Sequence, residues 1–184
     1  MAIVDLGVVL ARVKARYAAG GGPSQAPATH GEIEHAEARL GFPIPAALRR
    51  FHVEVANGGV GPVLLYGVGS GWHSPEGEDL VGVYEDRLRP RAPYPERIDG
   101  RPLGAAVSEW PEYVLPLAEP RDGVLFCLDA VTGEVLSGEG NACELGLRHA
   151  DWLQREAPSL EAWLARWLDG ESLPYRPQGP WGGR

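Results

Sequence analysis

Apolar residues recur at three- and four-residue steps at the start of the chain, and this spacing predicts an amphipathic helix over residues 3–18. The residues that carry the stripe are Ile3, Leu6, Leu10, Val13 and Tyr17. The stretch "AAGGGPSQAPA" (18–28) follows and consists almost entirely of glycine, proline and small residues. Such a composition is typical of a flexible linker between this helix and the rest of the chain.

Two further helices are predicted between residues 29 and 56. Thr29 and Glu32 have the spacing of a capping box, in which each side chain satisfies a free backbone N–H group of the other residue. Gly41 can take the left-handed conformation that ends such a helix. Pro45 fits the first turn of the next helix, whose apolar stripe runs through Leu48, Phe51 and Val55 before "NGG" (57–59) ends it.

The period then changes to that of β-strands. Four short runs are rich in β-branched and aromatic residues and are bounded by turn residues: "VLLYGV" (63–68), "YVLPL" (113–117), "VLFCLD" (124–129) and "EVLS" (134–137). The segment "DAVTG" (129–133) between the last two predicts an antiparallel hairpin, and Asp122-Gly123 predicts a turn just before them. Leu80, Val83, Tyr84 and Leu88 have helical spacing between the first strand and the others.

A last helix is predicted from a Ser159 cap to Gly170, with one wide face of leucine and tryptophan. Its apolar residues are Leu160, Trp163, Leu164, Trp167 and Leu168. A face of this width is typical of a helix that closes the core over a sheet. The tail over residues 174–184 has three prolines and three glycines and is expected to be poorly ordered.

Composition favours one globular domain. The chain has 184 residues, of which 44% are hydrophobic and 23% charged, values that are usual for a water-soluble protein. No run approaches the ~20 apolar residues that cross a bilayer. Asp5 lies where a secretory signal would place a basic residue, so we expect a cytoplasmic protein without a membrane partner.

Charge disfavours a direct nucleic-acid partner, because the net charge is −8 and phosphate binding needs a positive face. Between residues 109 and 144 a single base, Arg121, accompanies eight acids: Glu109, Glu112, Glu119, Asp122, Asp129, Glu134, Glu139 and Glu144. An opposing basic segment carries Arg87, Arg89, Arg91, Arg97 and Arg101. Both segments fit an ordinary solvated surface, and the acidic one also fits a face that meets a basic protein.

Nothing in the sequence assembles a catalytic or metal site. Cys127 and Cys143 match neither a redox pair nor a zinc half-site, so we expect two buried thiols. His30 and His35 are five residues apart and do not share a helix face. His73, in the glycine-flanked "GWHSPEGED", is the best candidate for a functional histidine, since loops often carry such groups. We therefore predict no catalytic residue, no metal and no cofactor.

In their order and spacing, these segments resemble the SUKH superfamily, the Smi/Knr-type domains. The resemblance rests on "IEHAEARLGFPIPAALRRFHVEVANGG", "WPEYVLPLAE", "GVLFCLDAVTGEV" and "SLEAWLARWLDGE" and covers residues 29–171. It implies an α+β fold in which N-terminal helices precede a mainly antiparallel sheet and a closing C-terminal helix. The expected organisation is a helix and linker over residues 1–28, the SUKH-like domain over 29–171, and a tail over 172–184.

The resemblance implies a non-enzymatic, protein-binding domain, and for bacterial members an immunity protein that neutralises a polymorphic toxin, often a nuclease. A basic toxin domain would then be the partner. We predict that exposed residues bind it, and these are Trp72, Glu109, Trp110, Glu112, Glu134 and Glu139. Two alternatives stay open: a regulatory or scaffold module with the first helix as a docking arm, and an enzyme that uses His73.

Overall fold

The computed structural model describes residues 4–20, 25–89, 110–120, 124–139 and 153–171. It contains four helices, then a sheet, then a last helix, which is the predicted α+β architecture. The helices are α1 (Leu6–Gly20), α2 (His30–Leu40), α3 (Ala46–Glu54), α4 (Leu80–Leu88) and α5 (Leu160–Leu168). The strands are β1 (Val114–Ala118), β2 (Val124–Asp129), β3 (Val135–Glu139) and β4 (Gln154–Ala157). No described helix has the length and apolar character that a bilayer crossing would need.

The four strands form one antiparallel sheet in the order β1-β2-β3-β4. Strands β2 and β3 join through the predicted hairpin, where Asp129 accepts the backbone N–H groups of Val131 and Thr132 at 2.8 and 3.0 Å. Gly133 follows with φ of 77°, a conformation that glycine adopts without steric cost. The side chains of β2 are buried from Val124 to Leu128, which explains why this strand is a continuous apolar run.

The predicted caps at Thr29 and Ser159 and the predicted helix end at Gly41 are confirmed, because the signals for them are local, whereas α3 ends at Glu54, before the predicted "NGG". Thr29 and Glu32 form the full capping box of α2, and Gly41 ends that helix in the left-handed conformation with φ of 79°. The Ser159 hydroxyl accepts the N–H of Ala162 at the start of α5. Asp79 caps α4 in the same way through Gly82. Each cap is worth about 1 kcal/mol.

The predicted strand over residues 63–68 is wrong. Residues 61–64 form turns and the following residues run as irregular backbone. Only one backbone hydrogen bond joins this segment to β1 in the described structure, from Tyr66 N to the Leu117 carbonyl at 2.8 Å. Other backbone groups of the segment bond to the turn after α3 instead, since Gly59 N donates to the Leu65 carbonyl at 2.8 Å. Strand β4, "QREA", went unpredicted because it lacks apolar alternation.

The first helix packs on the core. Val9, Leu10 and Val13 of α1 are buried, and the helix lies against α3 and α5. The far end of the predicted linker is also held in place, because Ala28 N donates to the His52 carbonyl at 2.8 Å and Asn57 N donates to the Ala26 carbonyl at 3.1 Å. Residues 25–28 therefore form a strap along α3, and small residues suit this close backbone approach.

Helix α5 closes the core as predicted. Trp163 is fully buried, and its ring packs on Phe126 of β2 with centroids 5.3 Å apart. Trp167 is partly buried, and the Arg16 guanidinium of α1 covers it at 4.6 Å. Neither ring is among the residues that line the described cavity at His73. Burial of a side chain of this size stabilises the fold by roughly 2–3 kcal/mol, so this helix ties α1 and the sheet into one interior.

His52 of α3 is a fully buried histidine within this core. Its ring packs edge-on against Phe51 at 5.8 Å, and in the described structure neither ring nitrogen has a hydrogen-bond partner of good geometry. Burial lowers the pKa of His52 to about 4, because the charged imidazolium would lose its hydration. The imidazole is therefore neutral in the folded protein at neutral pH.

His52 should make the protein less stable in mild acid. Between pH 6.5 and about 4, His52 is protonated in the unfolded chain but stays neutral in the folded protein. The free energy of unfolding therefore falls as the pH falls. The lowered pKa of His52 corresponds to a loss of about 3 kcal/mol in the free energy of unfolding across this pH range. His52→Leu should remove that part of the pH dependence in urea unfolding, while the same change at exposed His35 should leave the slope intact. An unchanged slope in His52→Leu would contradict this assignment.

Candidate protein-binding site

Asn57, the first residue of the "NGG" turn, organises the surface loop that carries Trp72. Its side chain is 2% exposed. The amide Nδ2 donates to the Val68 carbonyl at 2.8 Å, and the Oδ1 atom accepts the Val68 N–H at 2.8 Å. Its own backbone carbonyl accepts the N–H of Trp72 at 2.8 Å. One buried asparagine thus fixes both sides of the turn that precedes Trp72.

Glycine allows this close approach. Gly58 has φ of 79°, and a Cβ atom there would lie 2.5 Å from the backbone nitrogen of Gly67. A Cβ on Gly67 would overlap the Asn57 carbonyl oxygen, and one on Gly71 would overlap the Asn57 side chain. These glycines are therefore required by packing. Their role is the support of a loop and not the binding of phosphate.

Two carboxylates hold the rest of residues 68–79, which we call the Trp72 loop. The Glu32 Oε1 atom of the α2 cap accepts the Ser70 hydroxyl at 2.5 Å and the Ser70 N–H at 3.2 Å. The Asp79 Oδ2 atom accepts the N–H of Gly69 at 2.9 Å while Oδ1 caps α4. Because both carboxylates also cap helices, the loop is tied to the starts of α2 and α4.

The Trp72 loop forms one wall of a groove with a cavity volume of about 560 Å³. We call it the Trp72 groove, and its lining residues are Val63, Leu64, Tyr66, Trp72, His73, Ser74, Pro75, Glu119 and Pro120. Leu64 is 52% exposed, so its side chain is accessible at the groove. The groove lies where the chain leaves β1, since Glu119 and Pro120 directly follow that strand. Its lining is mainly apolar, which suits contact with a protein.

The electrostatics of the groove centre on Glu119. Its Oε2 atom accepts the Arg87 NH2 group at 2.6 Å, and the Arg87 side chain is buried. The Arg87 guanidinium also lies 5.9 Å from the Trp110 ring. Burial raises the pKa of Tyr66, and the negative charges of Glu119 and Glu76 raise it further. The tyrosine therefore stays a neutral hydroxyl beside an acidic group.

The structure separates the residues that the sequence grouped as a binding site. Trp72 lines the groove. Trp110, expected on the surface, is 5% exposed and donates its Nε1 hydrogen to the Val114 carbonyl at 2.8 Å, so its predicted exposure is wrong. The reason is that the Trp110 indole is held against the first residue of β1 by this hydrogen bond, which places the ring in the core. Glu109 lies outside the described residues.

The predicted acidic residues do not form one patch. Glu112 is exposed next to the β2–β3 turn, and Glu134 at that turn pairs with Arg155 at 3.0 Å. Glu139 pairs in register with Val124 at the opposite end of the sheet. Glu134 and Glu139 are five residue steps apart along extended backbone, a distance of roughly 17 Å. The acidic stretch therefore divides between two ends of the sheet.

No assembled catalytic group is found in the described part of the chain. His73 is exposed in the groove wall, and no cluster of three or more metal-ligating side chains exists among the described residues. Cys127 is fully buried, and burial raises the pKa of its thiol, so it is the unreactive buried thiol that was predicted. Cys143 lies outside the described residues.

The order of the elements and the supported loop agree with one known family. The model of the SMI1/KNR4 family (SUKH-1) matches residues 27–166. The chain belongs to the SUKH-1 family. A comparison with curated proteins gives no significant match. Proteins of this family are generally non-enzymatic, and membership supports a protein-binding role in general.

Sequence reasoning missed much of the Trp72 groove. It found Trp72 and assigned "NGG" to the end of a helix, but not the support that Asn57 and Glu32 give to the loop. Leu64 was placed in a strand. The repeated glycines at 67, 69 and 71 were the available signal, because clustered glycines near a polar turn often mark close backbone approach.

Replacement of Asn57 by alanine should destabilise the protein by about 3 kcal/mol, since it leaves the N–H and carbonyl groups of Val68 buried without partners. Urea unfolding followed by circular dichroism measures this. Gln154→Ala, on the exposed face of β4, serves as the control and should change stability by less than about 0.5 kcal/mol. If Asn57→Ala also changed stability by less than about 0.5 kcal/mol, the prediction would be wrong, because water would then satisfy the Val68 backbone groups in place of the Asn57 side chain.

Glu32→Gln should loosen the Trp72 loop. Hydrogen bonds from the Ser70 hydroxyl and the Thr29 backbone lower the pKa of Glu32 to about 2, so its contribution to stability is present above pH 4.5 and is lost as the pH falls towards 2. The neutral glutamine side chain should lower the free energy of unfolding by about 1 kcal/mol. It should also speed hydrogen exchange at the backbone N–H of Ser70. The Leu80 amide, bonded to the Gly67 carbonyl at 2.8 Å, is the internal reference. Equal exchange at Ser70 in both proteins would contradict this role.

Proposed function

We propose that this SUKH protein is a cytoplasmic immunity protein that binds a cognate bacterial toxin domain and blocks it. Family membership supports a protein-binding role, and the Trp72 groove is the observation that favours a specific partner. The partner we propose is basic, since the protein has a net charge of −8. Opposite net charge would steer the encounter and raise the association rate.

The Trp72 groove suits tight binding because its wall is fixed before the partner arrives. Asn57, Glu32 and Asp79 hold the loop through side-chain hydrogen bonds in the isolated chain. Less conformational entropy is then lost on association. Leu64 and Trp72 are the residues that we propose as anchors, since a central apolar contact surrounded by polar groups carries most of the energy in many interfaces.

A second contact surface is proposed at the β2–β3 turn. Tyr113 and Val131 are 43% and 75% exposed there, and the Ala130 N–H donates to the Tyr113 carbonyl at 2.8 Å. Glu112 and Glu134 flank these apolar residues. Glu109 and Glu139 stay predicted contact residues, whereas Trp110 would act only from the interior by supporting β1.

The blocking mechanism we propose is steric and electrostatic. An acidic protein seated on a basic nuclease domain would cover its substrate groove and repel nucleic acid from it. No reaction by the immunity protein is required. The regulatory or scaffold alternative used the first helix to dock on a partner. The apolar face of α1 already packs on the core, so it is not free for that contact.

Co-expression tests the proposal. The wild-type protein should protect bacteria from a toxin domain encoded next to its gene, and purified proteins should bind by calorimetry. Leu64→Glu should weaken binding by about 30-fold or more, as expected for the loss of a central anchor. Val8→Glu introduces the same charge at a residue of α1 that is 59% exposed, and it should leave binding unchanged.

Two outcomes would contradict different parts of the proposal. Failure of the wild-type protein to protect against the neighbouring toxin, combined with recovery of a stable intracellular partner, would favour the regulatory alternative. Full protection by Leu64→Glu would keep the immunity function but exclude the groove as its site.

A further inference from the structure

The Trp72 groove combines three chemical features in one cavity. Trp72 supplies an aromatic ring, Val63, Pro75 and Pro120 supply apolar walls, and Glu119 supplies a carboxylate. Each of these features suits a different part of one kind of side chain. A long aliphatic stem packs on apolar walls, a planar cation stacks on an aromatic ring, and a guanidinium pairs with a carboxylate.

Glu119 keeps capacity for a second cation. Arg87 donates to its Oε2 atom at 2.6 Å, but a carboxylate accepts about four hydrogen bonds through its two oxygens. The Glu119 side chain is 27% exposed, so an incoming group can reach it. The negative charge of Glu76 also acts on the Tyr66 hydroxyl in the same wall. Among the described residues, the charges at this end of the groove are therefore two acids, Glu119 and Glu76, and one buried base, Arg87.

We propose that the Trp72 groove receives an arginine side chain of the bound protein, with its stem on the apolar walls at Pro75 and Pro120 and its guanidinium stacked on Trp72 and paired with Glu119. This inference rests on the proposed protein-binding function and specifies the partner's chemistry. Arginine suits the groove better than lysine, because its planar group both stacks on indole and makes paired hydrogen bonds to a carboxylate. An anionic side chain would meet Glu119 and Glu76 and is disfavoured.

The test uses N-acetyl-L-arginine amide as the probe, without any toxin. Its addition to the wild-type protein should shift the Trp72 indole resonance in nitrogen-proton NMR spectra, saturating in the millimolar range. N-acetyl-L-citrulline amide has nearly the same shape without charge and should bind at least tenfold more weakly. N-acetyl-L-leucine amide tests a purely apolar occupant.

Variants assign the binding energy to named residues. Glu119→Gln should weaken the arginine probe at least tenfold, and Glu76→Gln should weaken it less. Glu161→Gln removes an equivalent charge on α5, which packs on β4 at the opposite edge of the sheet from β1, and should have no effect. If Glu119→Gln fails to fold because Arg87 loses its partner, the wild-type comparison of arginine with citrulline still decides.

Equal binding of arginine and citrulline, or tighter binding of leucine, would overturn the inference. No saturable shift with arginine would overturn it as well. These results differ from failure of the proposed function: protection in cells without arginine binding removes only the arginine site, whereas arginine binding without protection removes only the immunity role.

Discussion

The pair of hydrogen bonds between the Asn57 side chain and the backbone of Val68 is the constraint on which the rest of the site depends. Residues 57–59 follow shortly after the end of α3 at Glu54, and residues 65–72 pass directly over them, so two stretches of backbone must meet in the interior. Backbone groups buried in this way need partners, and an amide that both donates and accepts satisfies one N–H and one carbonyl at once. Glycine at 58, 67 and 71 gives the space for that contact, and the backbone N–H of Trp72 is then held by the Asn57 carbonyl. The wall of the groove at Trp72 therefore depends on the turn over residues 57–59 that follows α3.

Local signals in the sequence predicted the elements, and tertiary hydrogen bonds decided where those predictions failed. The capping box at Thr29, the left-handed Gly41 and the Asp129–Gly133 turn depend on residues a few positions apart, so a single sequence reveals them. The run at residues 63–68 has the composition of a strand, but Asn57 and Gly59 take backbone bonds that a ladder with β1 would use. Strand β4 carries no periodic pattern, and it forms because its backbone pairs with the edge of β3.

The candidate site was predictable only in part, because charge along the chain is not charge in space. The acidic run before and after β2 is continuous in sequence, yet antiparallel pairing sends Glu134 and Glu139 to opposite ends of the sheet. Glu119 is tied to buried Arg87 and Glu134 to Arg155, so part of the excess charge is balanced within the fold. Trp72 could be found from its loop, since aromatic residues among glycines stand out. Trp110 could not be placed, because an indole at a strand entrance suits a surface or a core equally well.

Fold stability and groove geometry share the same carboxylates. Glu32 caps α2 and holds Ser70, and Asp79 caps α4 and holds Gly69. A change at either residue therefore affects a helix and a binding wall together, and the loop cannot move far unless a cap is released. Releasing both caps alone would cost about 2 kcal/mol, and the Asn57 hydrogen bonds add to this cost, so an open loop accounts for at most a few per cent of the molecules. A partner consequently meets one dominant groove shape, and selectivity among partners must come from the side chain that enters it. Variation at Leu64 and Trp72 could alter that selectivity without touching Asn57, which separates the residues that build the groove from those that choose its occupant.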